Sequence, residues 1–290
     1  DLFAQAIAQS GAAAHTLTSD EGRMVGGYLA DALGVPPSRD AIRKVPLDTL
    51  VRTASDLVVQ VQTAPDPARW GQLALSLLPF APTVDGTVLP EAPLPAFAAG
   101  RGSDVPLLIG SNRDEARLFL VAAGTVDLID DATLQAAAAA YGLTPDGLAV
   151  YRANRPGASP GDILAAVVTD WFFGIPPLRV AEARSATTWV YRFDHPDAES
   201  NHGLGACHGA EIPFVFDTVT REDIRPRIGA TPSQAVADTM HGVWVSFITG
   251  GAPGWSPYTT DERTTALLTD KITVVDDPSG DERALWDGIR

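Results

Sequence analysis

The sequence predicts an α/β fold, and three observations carry that reading. Apolar runs of strand length stand at residues 4–9, 105–110 and 188–193, each closing on a glycine or a polar loop. Stretches with helical spacing of apolar residues separate them, the alternation expected of helices layered on strands. The 290 residues are 45% apolar and 20% charged with a mean hydropathy of +0.05, enough apolar surface to offset the entropy of ordering a packed chain.

The first run, Ala4 to Gln9, stops at Ser10-Gly11, as a buried strand ending in a turn would. Residues 19–34 place Met24, Val25, Tyr28, Leu29 and Leu33 near one helical face. Asp20 and Glu21 suit the positive end of the helix dipole, and Gly34, Pro36 and Pro37 stop the helix. A second helix is expected over 47–60. From Leu78 to Pro95, Pro79, Pro82, Pro90 and Pro93 with the Asp85-Gly86 turn signal predict an irregular surface excursion. Val105–Gly110 reads as a strand covered on both faces, followed by the polar loop Ser111–Glu115. Helices are expected over 132–141, 161–172 and 177–186, then a β-branched and aromatic strand, Thr188–Phe193. A Gly- and His-bearing loop (201–209), an amphipathic helix (233–248) and a hairpin pairing Ala266–Leu268 with Ile272–Val275 complete the chain. No internal repeat and no linker long enough to divide it is visible.

Charge and composition exclude several function classes. Twenty-one Lys and Arg against 36 Asp and Glu leave a net charge of −15, which repels phosphate backbones and anionic lipid heads, so neither nucleic acid nor membrane is an expected partner. No uninterrupted apolar run approaches the roughly 18 residues of a membrane span. Cys207 is the single cysteine, so there is no intrachain disulfide and no CxxC spacing for a structural metal. Asp1 opens no basic leader and precedes any Met, and the chain is expected to be cut from a longer protein. The compartment is not set by the sequence.

In α/β folds ligands gather at the carboxyl ends of strands, and two chemically suggestive loops leave strands there. Glu115 lies five residues past Gly110, and His208 lies in the loop Gly203–Gly209 beyond Phe193. A carboxylate that accepts from imidazole Nδ1–H fixes the tautomer and stabilises the imidazolium formed when Nε2 takes a proton from a serine hydroxyl. These two residue types on neighbouring loops could therefore be the orienter and base of a triad. Taken singly each is weak, since a loop His is more often structural and a loop Glu more often solvated.

Several separated motifs together carry a resemblance. Ala6–Gly11 resembles an AxxQSG strand, Phe80–Gly86 a PFxPxxDG segment and Gly110–Glu115 a GxNxDE acid loop. His208–Phe216 resembles an HGxE(I/L)PxxF histidine loop, and Trp244–Gly250 with Trp255–Tyr258 resembles a late helix and a WPxY-like turn. On these residues, which span almost the whole chain, the sequence is identified as similar to the type-B carboxylesterases, the cholinesterase-like branch of the α/β-hydrolases. The resemblance implies the C-terminal part of an α/β-hydrolase fold, a central mostly parallel sheet flanked by helices, with residues 1–290 belonging to one catalytic domain. It implies Glu115 as triad acid, His208 as general base and Ser10 as a serine hydrogen-bonding near the acid; the residues alone leave open an ordinary turn serine. The chain order Ser, acid, His of that fold fits.

The departure concerns the nucleophile. The family's GxSxG elbow and Gly-rich oxyanion loop precede the QSG strand, so both are expected upstream of Asp1, in a separate half of the same enzyme. Gly157–Gly161 satisfies G-x-S-x-G literally, but an elbow serine must be followed by a backbone N–H for the oxyanion, and Pro160 has none. Without that upstream half, the first apolar strand or its neighbour is expected to expose unpaired backbone groups, and this chain alone is expected to hydrolyse nothing. Leu118 and Phe119 resemble family positions that face the substrate, which makes them candidates for the substrate pocket; in the aromatic run Asp170–Phe173, Trp171 and Phe172 are further pocket candidates, with core packing as the competing reading. Leu118 offers no aromatic face to a quaternary ammonium, so small or aryl alkyl esters are expected rather than choline esters. Asp194, His195, His202, His208 and Glu211 cluster in sequence but lack a tight ligand pair such as HxxxH. Cys207 reads as a small filler beside His208. No cofactor is required. The competing functions are a non-catalytic cholinesterase-like binding or adhesion protein and a metal-assisted hydrolase.

Overall fold

Four short strands lie side by side, each apolar enough to be covered on both faces. In the computed structural model, which describes residues 2–196 and 198–290, β1 (Ala6–Gln9), β2 (Leu107–Asn112), β3 (Thr188–Phe193) and β4 (Thr264–Leu268) run parallel in that spatial order. β5 (Ile272–Asp276) adds antiparallel to β4 as the expected hairpin. Ala8 pairs with Ile109 and Ile109 with Val190, while Tyr191 pairs with Ala266. Side chains on β2 are buried along the whole strand, whereas most of β5 is exposed, as befits an edge. β1 forms the opposite edge. The backbone carbonyl and ring of Tyr191 press so close to Gly110 that a Cβ there would collide, which fixes glycine at the β2–β3 contact.

The chain packs as two compact units. Residues 13–95 form one, built on α1 (Ser19–Leu33) and α2 (Leu47–Thr63). Thr18 and Glu21 make a reciprocal capping box at the start of α1, and Gly34 adopts the left-handed conformation at its end. Leu17, Val25, Leu29, Leu57, Val61, Trp70 and Leu73 give this unit its own core. Residues 77–92 are irregular, as the prolines predict.

The other unit, residues up to Ala12 with Ala96–Arg290, holds the sheet. Its helices include α3 (Asp131–Ala140), α4 (Pro145–Asn154), α5 (Pro160–Thr169), α6 (Ile175–Ala183) and α7 (Gln234–Ile248). Leu108, Tyr191, Phe193, Phe214, Met240, Trp244, Phe247 and Leu268 pack in one core cluster. Helices expected over 161–172 and 177–186 are joined: a π-turn at Asp170–Gly174 links α5 to α6. Pro176 and Pro177 fall in the first turn of α6, where a missing N–H costs little, so they do not break the run. This 24-residue helix is long and apolar enough to cross a membrane by length and composition. More than half of its apolar window is buried inside the protein, however, where its side chains pack against α3, β2 and β3.

Asp170 opens the π-turn and accepts a hydrogen bond from the Tyr151 hydroxyl. Burial, the largest influence, outweighs that bond and, with the charge of Glu282, raises Asp170 to about 6. An acid whose pKa is raised on folding holds its proton more tightly in the folded state. Its contribution is therefore full below the unfolded value near 3.8 and is lost as pH rises through about 6. Asp170→Asn is expected to gain stability relative to the parent between pH 4 and pH 7, by on the order of 2 kcal/mol in urea melts. A constant difference across that range would contradict the assignment.

Candidate functional site

The site forms where β1 and β2 end and the loop after β3 returns. β1 stops at Ser10, which takes the left-handed conformation (φ 62°) for a non-glycine residue, and Gly11 continues the turn (φ 68°). Strain of this kind persists only where the surroundings over-determine it. Here the turn aims the Ser10 hydroxyl at Glu115, donating to Oε1 at 2.5 Å. The Asn112 backbone N–H, at the end of β2, donates to the same oxygen at 2.7 Å. His208 Nδ1–H donates to the other oxygen, Oε2, at 2.6 Å. Glu115 is fully buried, and an ionised carboxylate at such a position survives only when its oxygens are satisfied. Three donors from three separate chain segments do so.

The two loops are also tied through their backbones. The Asp114 N–H donates to the Ala206 carbonyl and the Ala206 N–H to Asp114 Oδ2, each at 3.0 Å, and the His208 N–H reaches the Glu115 carbonyl at 3.2 Å. Gly205 (φ +63°) passes so close to the Asp114 carboxylate that any side chain there would strike it. Arg117 completes the clamp, donating to the Gly203 carbonyl and to Asp162.

A second buried carboxylate, Glu211, stands behind the first. Its oxygens accept from Gln9 Nε2 at 3.0 Å and from Asn112 Nδ2 at 2.5 Å. Asn112 Nδ2 also donates to the Cys207 carbonyl at 2.8 Å, and Trp244 Nε1–H donates to Gln9 Oε1 at 3.0 Å. Burial pushes the Glu211 pKa up and the charge of Glu115 adds to this, against the lowering effect of the Asn112 and Gln9 amides. For His208, burial works to lower the pKa, but the hydrogen bond and charge of Glu115, with the charge of Glu211 behind, raise it above the ordinary imidazole value.

Nδ1 being engaged, the imidazole presents Nε2, which has no hydrogen-bond partner among the described residues; 39% of the side chain is exposed. Phe173 and Phe119 flank the ring at centroid distances of 4.9 and 5.6 Å, and their own planes lie 8° apart. The group can therefore take and return a proton at Nε2 beside an apolar wall.

Glu115, His208 and Ser10 are thus brought together, and Phe119 joins them. Leu118 is partly buried against the sheet core. Trp171 packs against Tyr141 and under Arg290, whose guanidinium carbon lies 3.9 Å from the ring centroid, and Phe172 touches Trp171 and Tyr141. Phe173, next in sequence, is the aromatic of that run that meets His208. Ser159 caps α5 in a capping box with Asp162, its hydroxyl donating to Oδ2 at 2.8 Å. Cys207 is buried, its thiol pushed up to about 11 by burial. His195 packs edge-on against Phe193 and Phe214. Phe173 belongs to the aromatic run weighed from sequence as core or pocket lining, and Glu211 to the cluster weighed as a metal site; Gln9 and Asn112 were given no role, although both stand inside the quoted motifs.

A mostly parallel sheet flanked by helices, with a His–Glu pair on strand-end loops, is the arrangement of the α/β-hydrolase class. Residues 1–286 match the model of the carboxylesterase family, and the chain belongs to that family. It is 28% identical over 300 aligned residues to the para-nitrobenzyl esterase of Bacillus subtilis, covering 97% of this chain and 56% of that protein. It is 27% identical to the phenmedipham hydrolase of Pseudarthrobacter oxydans, over 87% of this chain and 50% of that protein. Among solved structures, a Geobacillus stearothermophilus carboxylesterase superposes with a TM-score of 0.78 at 27% identity, over 98% of this chain and 58% of the other. The chain spans about half the length of the curated relatives it matches.

The imidazole provides a direct check of this geometry. In the full-length protein, the His208 resonance is expected to titrate above about 6.5 by NMR, and Glu115→Gln, which removes the charge that raises it, should move the midpoint down. An unchanged midpoint in the variant would refute the pairing.

Proposed function

We propose that the full-length protein is a serine carboxylester hydrolase in which Glu115 and His208 are the acid and base of a Ser–Glu–His triad, both compact units belonging to one catalytic domain. The observation that carries this reading is the His208 Nδ1–Glu115 Oε2 hydrogen bond of 2.6 Å with Nε2 left open. The nucleophilic serine and the oxyanion donors lie outside residues 1–290, in the upstream half of the same enzyme. That serine attacks the ester carbonyl while Nε2 takes its proton. His208 then delivers the proton to the leaving alcohol, and water, activated by the same imidazole, releases the acid. Glu115 holds the tautomer and stabilises the imidazolium as it forms.

The substrates are small or aryl alkyl esters. Phe119 and Phe173 supply a flat apolar wall beside the proton relay, and such a wall discriminates poorly between acyl chains differing by one methylene. No cofactor enters the cycle.

His208→Ala in the full-length protein is expected to lower kcat for para-nitrophenyl acetate by about 10⁴ or more, and Glu115→Gln by about 10³–10⁴, with KM changed far less. Retention of most of kcat in His208→Ala would overturn the assignment. Residues 1–290 alone should show no turnover above background, because the oxyanion donors, each worth about 3 kcal/mol, and the nucleophile are both missing. Brisk serine-dependent hydrolysis by residues 1–290 would show that the nucleophile lies within them.

A further inference from the structure

We infer that Arg227 is a specificity-determining residue that favours esters whose alcohol portion carries an ionised carboxylate. The inference deepens the serine-hydrolase reading and rests on it.

Arg227 sits in the short helical turn Arg225–Ile228, remote in sequence from the triad residues. The fully buried Asn201 bolts that turn to the histidine loop. Its Nδ2 donates to the Arg227 carbonyl at 2.7 Å and to the Gly205 carbonyl at 2.8 Å, while Oδ1 accepts from the Gly205 N–H at 2.8 Å. The backbone of Arg227 is therefore held in register with residues 205–209. The guanidinium lies over Gly209, the residue after His208. A Cβ built on Gly209 would sit 3.2 Å from Nη1, which places the guanidinium directly against the histidine loop. Its charge is felt at both Cys207 and His208, lowering the pKa of each.

Arg113, Arg117, Arg192 and Arg221 are each paired with an aspartate. Like Arg225 in the same turn, Arg227 is exposed and forms no ion pair among the described residues, but its guanidinium is the one that approaches Gly209. Nor does it make a side-chain hydrogen bond among the described residues, in a chain whose net charge is −15. An unpaired cation beside a proton relay, in so acidic a chain, has a ligand of opposite charge as its natural complement, and a guanidinium suits a carboxylate in bidentate geometry. The chemistry says which end of the substrate it meets. His208 gives its proton from Nε2 to the leaving oxygen, so the alcohol portion lies beside the imidazole, one residue from Gly209, against which the guanidinium is placed. Phe119 and Phe173 flank the same imidazole, so an aryl alcohol with a carboxylate fits both features. The same charge repels quaternary ammonium alcohols.

The test compares meta-acetoxybenzoate with the neutral meta-acetoxybenzamide in the full-length protein. Arg227→Ala should lower the ratio of kcat/KM (benzoate over benzamide) about fivefold, mainly through KM for the benzoate, a modest effect because the pair is exposed to water. Arg227→Glu should lower it further, and Arg227→Lys should retain much of it. Arg225→Ala, which removes the same charge from the same turn, should leave the ratio unchanged. A ratio unmoved by Arg227→Ala, or lowered equally by Arg225→Ala, overturns the role of Arg227 and leaves the esterase reading intact. Failure of the unsubstituted protein to hydrolyse the benzamide ester overturns the esterase reading itself, and this inference with it.

Discussion

The structure turns on one constraint: a carboxylate with no exposure to water must be given donors by the protein itself. Glu115 obtains them from the Ser10 hydroxyl, the Asn112 backbone N–H and His208 Nδ1–H. Each comes from a different segment, so the site exists only when β1 ends beside β2 and the loop beyond β3 folds back over both. The parallel register of the sheet supplies that arrangement, pairing Gln9 with Gly110 and Asn112 with Phe193. Loss of any donor leaves a buried charge partly unpaired, a cost of about 1–3 kcal/mol or more, so packing and chemistry are enforced by the same bonds.

The second carboxylate extends this coupling into the core. Trp244 on α7 holds Gln9, Gln9 and Asn112 hold Glu211, and Asn112 holds the carbonyl of Cys207, the residue before the imidazole. A helix packed on the far side of the network thereby helps fix the position of His208. The electrostatics run the same way, because both carboxylates raise the His208 pKa while burial opposes them. The imidazole is tuned by groups of which only Glu115 touches it.

Much of this was legible in the sequence, for identifiable reasons. The existence and order of β1 to β4 followed from their apolar runs, but not every boundary did: β2 runs to Asn112 rather than ending at Gly110, because Ser111 and Asn112, polar in sequence, pair with Arg192 and Phe193 of β3 and are buried. α4 was missed although Thr144 caps it and Pro145 opens it, because its interior is too polar to show a clear apolar stripe. The join of α5 to α6 was missed because a π-turn with two prolines behind it looks like a stop. That turn also explains the aromatic run. Periodicity assumes 3.6 residues per turn, and the added residue of a π-turn shifts the phase, so sequence spacing did not show that Phe173, beyond Phe172, would meet the imidazole. Glu115, His208 and Ser10 were readable as motif positions. The bonds joining Gln9 to Glu211 and Asn112 to Glu211 were not, since they span 202 and 99 residues and no local spacing encodes them.

The central claim is that a proton passes through Nε2 of His208 to and from a serine outside residues 1–290. A crystal structure of the full-length protein inactivated by a para-nitrophenyl alkylphosphonate tests it most directly. The account requires phosphorus bonded to a serine preceding this segment, with that serine oxygen or a phosphonyl oxygen about 3 Å from His208 Nε2 and Nδ1 still on Glu115. A phosphonylated residue whose oxygens all lie beyond hydrogen-bond reach of Nε2, or an adduct on Ser159, would contradict it.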